Sequence, residues 1–177
     1  MDKNPTEGSM IQTKQQLRST FLTPRFETMV NGSLYTTMND PEASVAYDQT
    51  DKGIFSVTNA RLLNEHKHSL TGSDACEIRY NIVGNEFIIQ AKCLFSEQVH
   101  PVKYLLPVIS NYKEKIWVIS PSKVEIAKAG SVVHIEADKP FKTDGMENKN
   151  IFGWIPGRDV IWLEFMYNEI EVKIGFA

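Results

Sequence analysis

The segment Ala75–Phe95 constrains the fold more than any other part of the chain. It contains two runs of alternating apolar and polar residues, separated by Gly84-Asn85. A two-residue loop with Gly first favours a type II′ hairpin turn. With these two residues as the loop, one face of the hairpin receives only apolar pairs: Ile82–Phe87, Tyr80–Ile89, Ile78–Ala91 and Cys76–Cys93. The other face receives the mostly polar pairs Glu77–Lys92, Arg79–Gln90 and Asn81–Ile88. A slip of one residue would mix the two faces, so the register is well specified.

The rest of the chain continues this pattern of short apolar segments between turn residues. No long helical period interrupts it, so the sequence predicts an all-β fold, an antiparallel β-sandwich of about twelve short strands. We expect a loose polar leader over residues 1–20 and a single sandwich domain over residues 21–177. The candidate strands are Phe26–Val30, Ser33–Met38, Ser44–Asp48, Gly53–Leu62, Ala75–Val83, Glu86–Ser96, Val102–Ser110, Lys115–Ser120, Lys123–Ala127, Ser131–Ala137, Asp159–Tyr167 and Ile170–Phe176.

The last two candidate strands predict a second hairpin. With Asn168-Glu169 as its loop, apolar residues face each other and Glu164 faces Lys173. The apolar pairs would be Phe165–Val172, Leu163–Ile174 and Ile161–Phe176. From the two hairpins we predict a core of Ile78, Tyr80, Ile82, Phe87, Ile89, Leu163, Phe165, Val172 and Ile174.

Composition limits the function classes. The formal net charge of −3 argues against nucleic acid as a partner, which would favour a basic surface. No apolar run approaches the ~18 residues of a membrane span, and the first residues show no apolar signal segment. The expected location is therefore periplasmic or extracellular if the chain is part of a longer exported protein, and cytoplasmic otherwise.

The two cysteines, Cys76 and Cys93, occupy a non-hydrogen-bonded position of the predicted hairpin. The Cα atoms at such a position are roughly 4.5 Å apart, close enough for a disulfide. Two interpretations remain open, a cross-strand disulfide in an exported protein and a pair of reduced, buried thiols.

No catalytic or cofactor-binding motif is present. The chain has no Gly-x-Ser-x-Gly, P-loop or Gly-x-Gly-x-x-Gly sequence, so we expect no catalytic residues and no cofactor. His66 and His68 have the spacing of half a metal site, but a solvated loop explains them as well. We therefore predict no metal.

The segment from Lys139 to Asp159 is the longest stretch without a strand pattern, and long loops in compact domains are often functional. It contains Trp154, Arg158 and Asp159. An aromatic ring can stack on a sugar, and the charged groups can bond its hydroxyls. We therefore predict these three residues as a substrate-binding set; the alternative is that Trp154 caps an open end of the sandwich.

Several segments resemble the C-terminal β-sandwich modules of bacterial heparinase II/III-type polysaccharide lyases and related glycan-degrading enzymes. They are Gly53–Val57 leading to Arg61–Leu63, then Glu77–Ile82, and the closing Ile161–Phe165. The resemblance covers roughly Phe21 to Ala177. In that family a helical domain precedes the sandwich, so the resemblance implies a piece or a stand-alone relative of a larger enzyme.

The resulting hypothesis is a non-catalytic, carbohydrate-binding β-sandwich module of a bacterial, secreted polysaccharide-degrading system, with a polysaccharide or oligosaccharide and a preceding enzyme domain as partners. Two alternatives belong to other classes. One is a β-barrel that carries or transforms a small molecule; the other is a structural cell-envelope or interaction domain.

Overall fold

The part of the chain that the structure describes contains thirteen β-strands and one 3-10 turn, Thr37–Asn39. The computed structural model describes residues 23–50, 53–96, 100–111, 114–144 and 158–176. The strands are β1 (Arg25–Val30), β2 (Ser33–Thr36), β3 (Ser44–Thr50), β4 (Gly53–Ala60), β5 (Ser73–Val83), β6 (Glu86–Phe95), β7 (Lys103–Asn111), β8 (Ile116–Ser120), β9 (Lys123–Lys128), β10 (Ser131–Ala137), β11 (Lys142–Asp144), β12 (Arg158–Phe165) and β13 (Glu169–Phe176).

The strands form two antiparallel sheets, as predicted for a β-sandwich. The five-stranded sheet has the order β11-β12-β7-β1-β2, and the eight-stranded sheet has the order β3-β4-β5-β6-β13-β10-β9-β8. Alternate residues of each strand point between the sheets, where burial of apolar surface stabilises the fold. The largest fully buried side chains include Tyr104, Phe26, Phe165, Ile89 and Val172.

The predicted β5–β6 hairpin is confirmed in every pair, from Val83–Glu86 next to the turn to Cys76–Cys93. Gly84 has a φ of 59°, the left-handed value that glycine supplies at this position of the turn. A second two-residue turn, Asn31-Gly32, joins β1 to β2, and both of its residues have positive φ. Local turn chemistry thus sets the register of both hairpins.

The predicted C-terminal hairpin is wrong. β12 pairs with β7 and β11 in the five-stranded sheet, whereas β13 pairs with β6 and β10 in the eight-stranded sheet. The chain crosses from one sheet to the other through residues 166–168. Accordingly, Glu164 pairs with Lys103 at 3.2 Å and not with Lys173. The apolar residues of the two strands belong to one core, but they meet across the sandwich rather than side by side in one sheet.

Most of the predicted core is buried, with one error. Ile78, Ile89, Leu163, Phe165 and Val172 are buried, and Tyr80, Phe87 and Ile174 are partly buried against them. Ile82 is 42% exposed because it lies near the hairpin tip. The predicted strand Ser33–Met38 ends early, since Thr36 caps the 3-10 turn with its hydroxyl, and the short strand β11 was not predicted.

Two sequence predictions fall partly or wholly beyond the described part of the chain. The proposed leader, residues 1–20, lies outside the described residues, as does Trp154. Within the described ranges, no helix has the length and hydropathy needed to cross a membrane.

Candidate functional site

The predicted substrate-binding set is only partly placed. Trp154 lies outside the described residues, while Arg158 and Asp159 form the start of β12. Their backbones lie opposite Asn111 and Ser110 of β7. The set of Trp154, Arg158 and Asp159 therefore stays a prediction.

Cys76 and Cys93 lie side by side in the core. Their Cα atoms are 4.1 Å apart, and the structure joins them as a disulfide. Both residues are buried and belong to the hydrophobic core cluster. A buried disulfide of this kind links two strands and stabilises the fold.

The histidine pair lies in a surface turn. The side chain of Asn64 accepts hydrogen bonds from the backbone N–H groups of His66 and His68, at 2.9 and 3.0 Å. Lys67, between them, takes a left-handed φ of 66°. Across the ranges described, no group of three or more His, Cys, Asp or Glu side chains could hold a metal ion. The turn geometry itself accounts for this motif, because the asparagine organises the backbone.

A polar trough lies on the outer face of the eight-stranded sheet, where β5, β6 and β13 run side by side. Its volume is about 390 Å³. The polar faces of the three strands form its floor, and the start of the segment after β10 closes one side. Charged and amide side chains dominate its lining, which consists of Glu77, Arg79, Gln90, Lys92, Asp138, Lys139, Glu169 and Glu171 with Ala91 and Ile170.

Ion pairs fix the side chains at one end of the trough. Arg79 donates to Glu77 from Nε at 2.8 Å and from a terminal nitrogen at 3.2 Å. Lys92 reaches the same carboxylate at 3.2 Å. The hydrogen bond from Arg79, together with that from Lys92, lowers the pKa of Glu77. Glu77 therefore stays ionised and holds both cations in place, while Arg79 and Lys92 remain partly exposed to solvent.

The other end of the trough is held by β13. Gln90 donates to the carboxylate of Glu171 at 2.8 Å, and the backbone N–H of Glu171 donates to Asp138 at 2.8 Å. A second backbone bond runs from Asp138 N to Glu171 O at 3.0 Å. These contacts fix the polar groups before any ligand arrives, which reduces the entropy lost on binding.

The trough is suited to binding a hydroxyl-rich ligand. Its four carboxylates accept hydrogen bonds and its three cations donate them, and all of these groups stand on a rigid sheet. These groups can bond several hydroxyls of one ligand at the same time.

The sequence correctly predicted the part of the trough that β5 and β6 form. The hairpin register placed Glu77–Lys92 and Arg79–Gln90 on one polar face, and this is confirmed. The contribution of Glu171 was missed because the sequence prediction paired β13 with β12. In the structure, β13 pairs with β6. The alternating pattern of β13 indicated a polar face without indicating which strand that face would adjoin.

The sequence of this chain is similar to known proteins over nearly its whole length. Residues 5–176 match the family described as "Ulvan lyase C-terminal domain". The chain is also 26% identical, over 163 residues, to a protein of Formosa agariphila named "Broad-specificity ulvan lyase". This alignment covers 92% of the chain but 25% of the relative, so the chain spans about a quarter of that protein's length. Because the family match extends over nearly all of the sequence, the chain belongs to the ulvan lyase C-terminal domain family, a family of polysaccharide lyase modules.

Proposed function

We propose that the chain is a non-catalytic module of a larger polysaccharide-degrading enzyme, and that it holds the polysaccharide, ulvan or a related polymer, while another part of the enzyme cleaves it. The observation that carries this proposal is the family match over residues 5–176. The relative's name supplies the polymer, and the quarter of its length covered by the alignment leaves room for a separate catalytic part.

The polar trough supports a binding role. It presents fixed carboxylates, an amide and partly exposed cations on one rigid face. Such groups bond sugar hydroxyls through several modest contacts, so a single module should bind weakly, with a Kd in about the millimolar to micromolar range. Trp154, Arg158 and Asp159 are proposed as a second contact, since an indole with neighbouring charged groups suits a pyranose ring.

The disulfide supports an exported protein. Disulfides persist in oxidising compartments and are rare in the cytosol, so the pair of Cys76 and Cys93 favours a periplasmic or extracellular location. The finer likeness to heparinase II/III-type lyases also belongs to this proposal. It rests on the strand segments quoted above, and it implies a preceding helical domain.

The two alternative functions have less support. A barrel that carries a small molecule requires a closed sheet, whereas the described residues form two separate, open sheets. A purely structural domain needs no organised polar trough. The family match supports neither alternative.

The experiment is a calorimetric titration of the 177-residue chain with ulvan oligosaccharides. We expect weak binding that the double variant Arg79→Ala/Lys92→Ala reduces about tenfold or more. Lys103→Ala is the matched control, because it removes a partly exposed cation from the opposite sheet. Trp154→Ala tests the proposed contribution of Trp154 separately. Absence of binding by the wild-type chain would overturn the proposed function.

A further inference from the structure

We infer that a second carbohydrate subsite lies on the same outer face, formed by Trp117, Glu125, His134 and the bare backbone at Gly175, and that it stacks one sugar ring of the polymer on the Trp117 indole. This inference rests on the proposed polysaccharide-binding function and adds an aromatic contact that the polar trough lacks.

Strand register places these four residues in one row. Trp117 of β8 lies opposite Glu125 of β9, Glu125 lies opposite His134 of β10, and His134 lies opposite Gly175 of β13. Their neighbours Val124, Ile126 and Ile135 are buried in the core, so the row itself faces outward. It crosses three interstrand spacings, about 14 Å.

The Trp117 side chain is 42% exposed. Trp162, by contrast, is buried, and among the described residues the Trp117 indole has neither a ring partner nor a side-chain hydrogen bond. A large aromatic side chain on a solvent-facing row of polar residues loses the benefit of burial. A flat apolar surface with an N–H at its edge is suited to stacking against a sugar ring and bonding a hydroxyl.

The polar neighbours are fixed. His134 Nδ1 lies 3.1 Å from Glu125 Oε1, and the Lys123 ammonium lies 3.3 Å from the same oxygen. The Glu125 carboxylate is thereby held beside the indole, where it can accept from sugar hydroxyls. Each of the three side chains keeps between a quarter and a third of its surface exposed, so the cluster remains accessible.

The glycine at position 175 is a second, independent feature that points to a ligand. A Cβ at this position would meet nothing within 4 Å, and the φ of Gly175 lies outside the left-handed region that would require glycine. Glycine within a strand costs stability, and it often marks a place where a ligand approaches the backbone. Here it leaves an open floor beside His134 at the end of the row.

The row continues into the polar trough. β13 contributes Gly175 to the row and Glu171 to the trough, on the same face and four residues apart, about 13 Å. An extended sugar chain can therefore cross from Trp117 to Arg79 without leaving the outer face of the sheet. A polymer of several rings is the occupant that matches this length and this mixture of aromatic and polar groups.

A protein strand added to the edge strand β8 is the competing occupant, because Val118 and Ile119 are also exposed. However, the register between β8 and β9 shifts between Val118 and Ser120, which is the signature of a bulge. A bulge on an edge strand interrupts its ladder and hinders pairing with another chain. The row and Gly175 lie on the face of the sheet, whereas an added strand would bond only to the backbone at its edge and would not contact them.

The test compares short and long ulvan oligosaccharides on the 177-residue chain, using tryptophan fluorescence and calorimetry. We expect Trp117→Ala to weaken binding of long oligosaccharides about tenfold while short ones still bind in the trough. Gly175→Val leaves the indole in place but fills the floor of the row, so it should weaken long oligosaccharides in the same way. Trp117→Phe should recover part of the lost affinity, and urea unfolding of each variant checks that the fold is intact.

The outcomes separate this inference from the proposed function. If the wild-type chain binds and both Trp117→Ala and Gly175→Val bind all oligosaccharides equally well, the subsite is overturned while the proposed function stands. If the wild-type chain binds no oligosaccharide, both fail. If sedimentation shows a self-associated wild type that Trp117→Ala makes monomeric, with unchanged sugar affinity, Trp117 belongs to a protein interface and the subsite is overturned.

Discussion

Asp40 and Arg61 form a hydrogen-bonded pair that ties the 3-10 turn to the end of β4. The Asp40 carboxylate accepts from the Arg61 backbone N–H at 2.7 Å, from Nε at 3.2 Å and from a terminal nitrogen at 2.9 Å. The Asp40 side chain is 2% exposed and the Arg61 side chain is 42% exposed, so the carboxylate is shielded from water while the guanidinium is partly solvated. The hydrogen bond from the Arg61 side chain is the main cause that lowers the pKa of Asp40 to about 2.

This pair predicts an acid-sensitive contribution to stability. The folded-state pKa lies below the usual value near 3.8, so the stabilisation is present above pH 4 and is lost as the pH falls towards 2. Asp40→Asn should lower the free energy of unfolding by about 2 kcal/mol at pH 6 and by much less at pH 2. Urea unfolding at both pH values measures this difference. Glu42→Gln is the control, because Glu42 is 75% exposed and its ion pair with Arg61 should contribute little.

Ile89 tests the assignment of the core face. It is 2% exposed and packs between the sheets, so Ile89→Ala should cost about 2–5 kcal/mol of folding stability. The matched control is Ile109→Ala, since Ile109 is 44% exposed on the outer face of the five-stranded sheet. Chemical denaturation of both variants measures the difference. Equal losses for the two would show that the faces are wrongly assigned.

The disulfide predicts sensitivity to reducing agents. Cys76 and Cys93 are 17 residues apart in sequence, and closing a loop of that size contributes about 3 kcal/mol. The oxidised chain should therefore unfold at a higher urea concentration than the reduced chain or the double variant Cys76→Ala/Cys93→Ala. Mass spectrometry of protein folded under oxidising conditions should find no free thiol. Two alkylated thiols in native, air-oxidised protein would contradict the disulfide.

The sequence was sufficient where local chemistry sets the structure. In the β5–β6 hairpin, Gly84-Asn85 specifies the turn and the alternating pattern then fixes every pair. It was insufficient for β12 and β13, because alternation shows which side of a strand is apolar without showing which strand lies beside it. In a sandwich, strands of opposite sheets share one core, so Leu163 and Val172 can satisfy the same pattern either across the sandwich or within one sheet.

The same limitation explains what was missed in the candidate site. Arg79, Gln90 and Lys92 were correctly placed on one polar face, since the hairpin alone determines their positions. Glu171 and Asp138 join them only through the pairing of β13 with its neighbours, a long-range contact that no local signal encodes. Trp117 was not singled out, because the exposure of one tryptophan on an edge strand depends on the order of the strands.

The absence of a catalytic motif predicts that the 177-residue chain alone does not cleave ulvan. We expect no unsaturated product when the chain is incubated with the polymer over a range of pH values. The same assay with a complete ulvan lyase is the positive control. Turnover that a single substitution in this chain abolishes would show that the module is catalytic.

We propose that this module holds a polysaccharide on the outer face of its eight-stranded sheet. Backbone amide shifts in nuclear magnetic resonance spectra, followed while ulvan oligosaccharides are added, locate the binding face. We expect concentration-dependent shifts that cluster on β5, β6 and β13 around Arg79, Lys92 and Glu171, with the amides of β1 and β2 unchanged. Shifts confined to the five-stranded sheet, or no shifts at millimolar oligosaccharide, would contradict it.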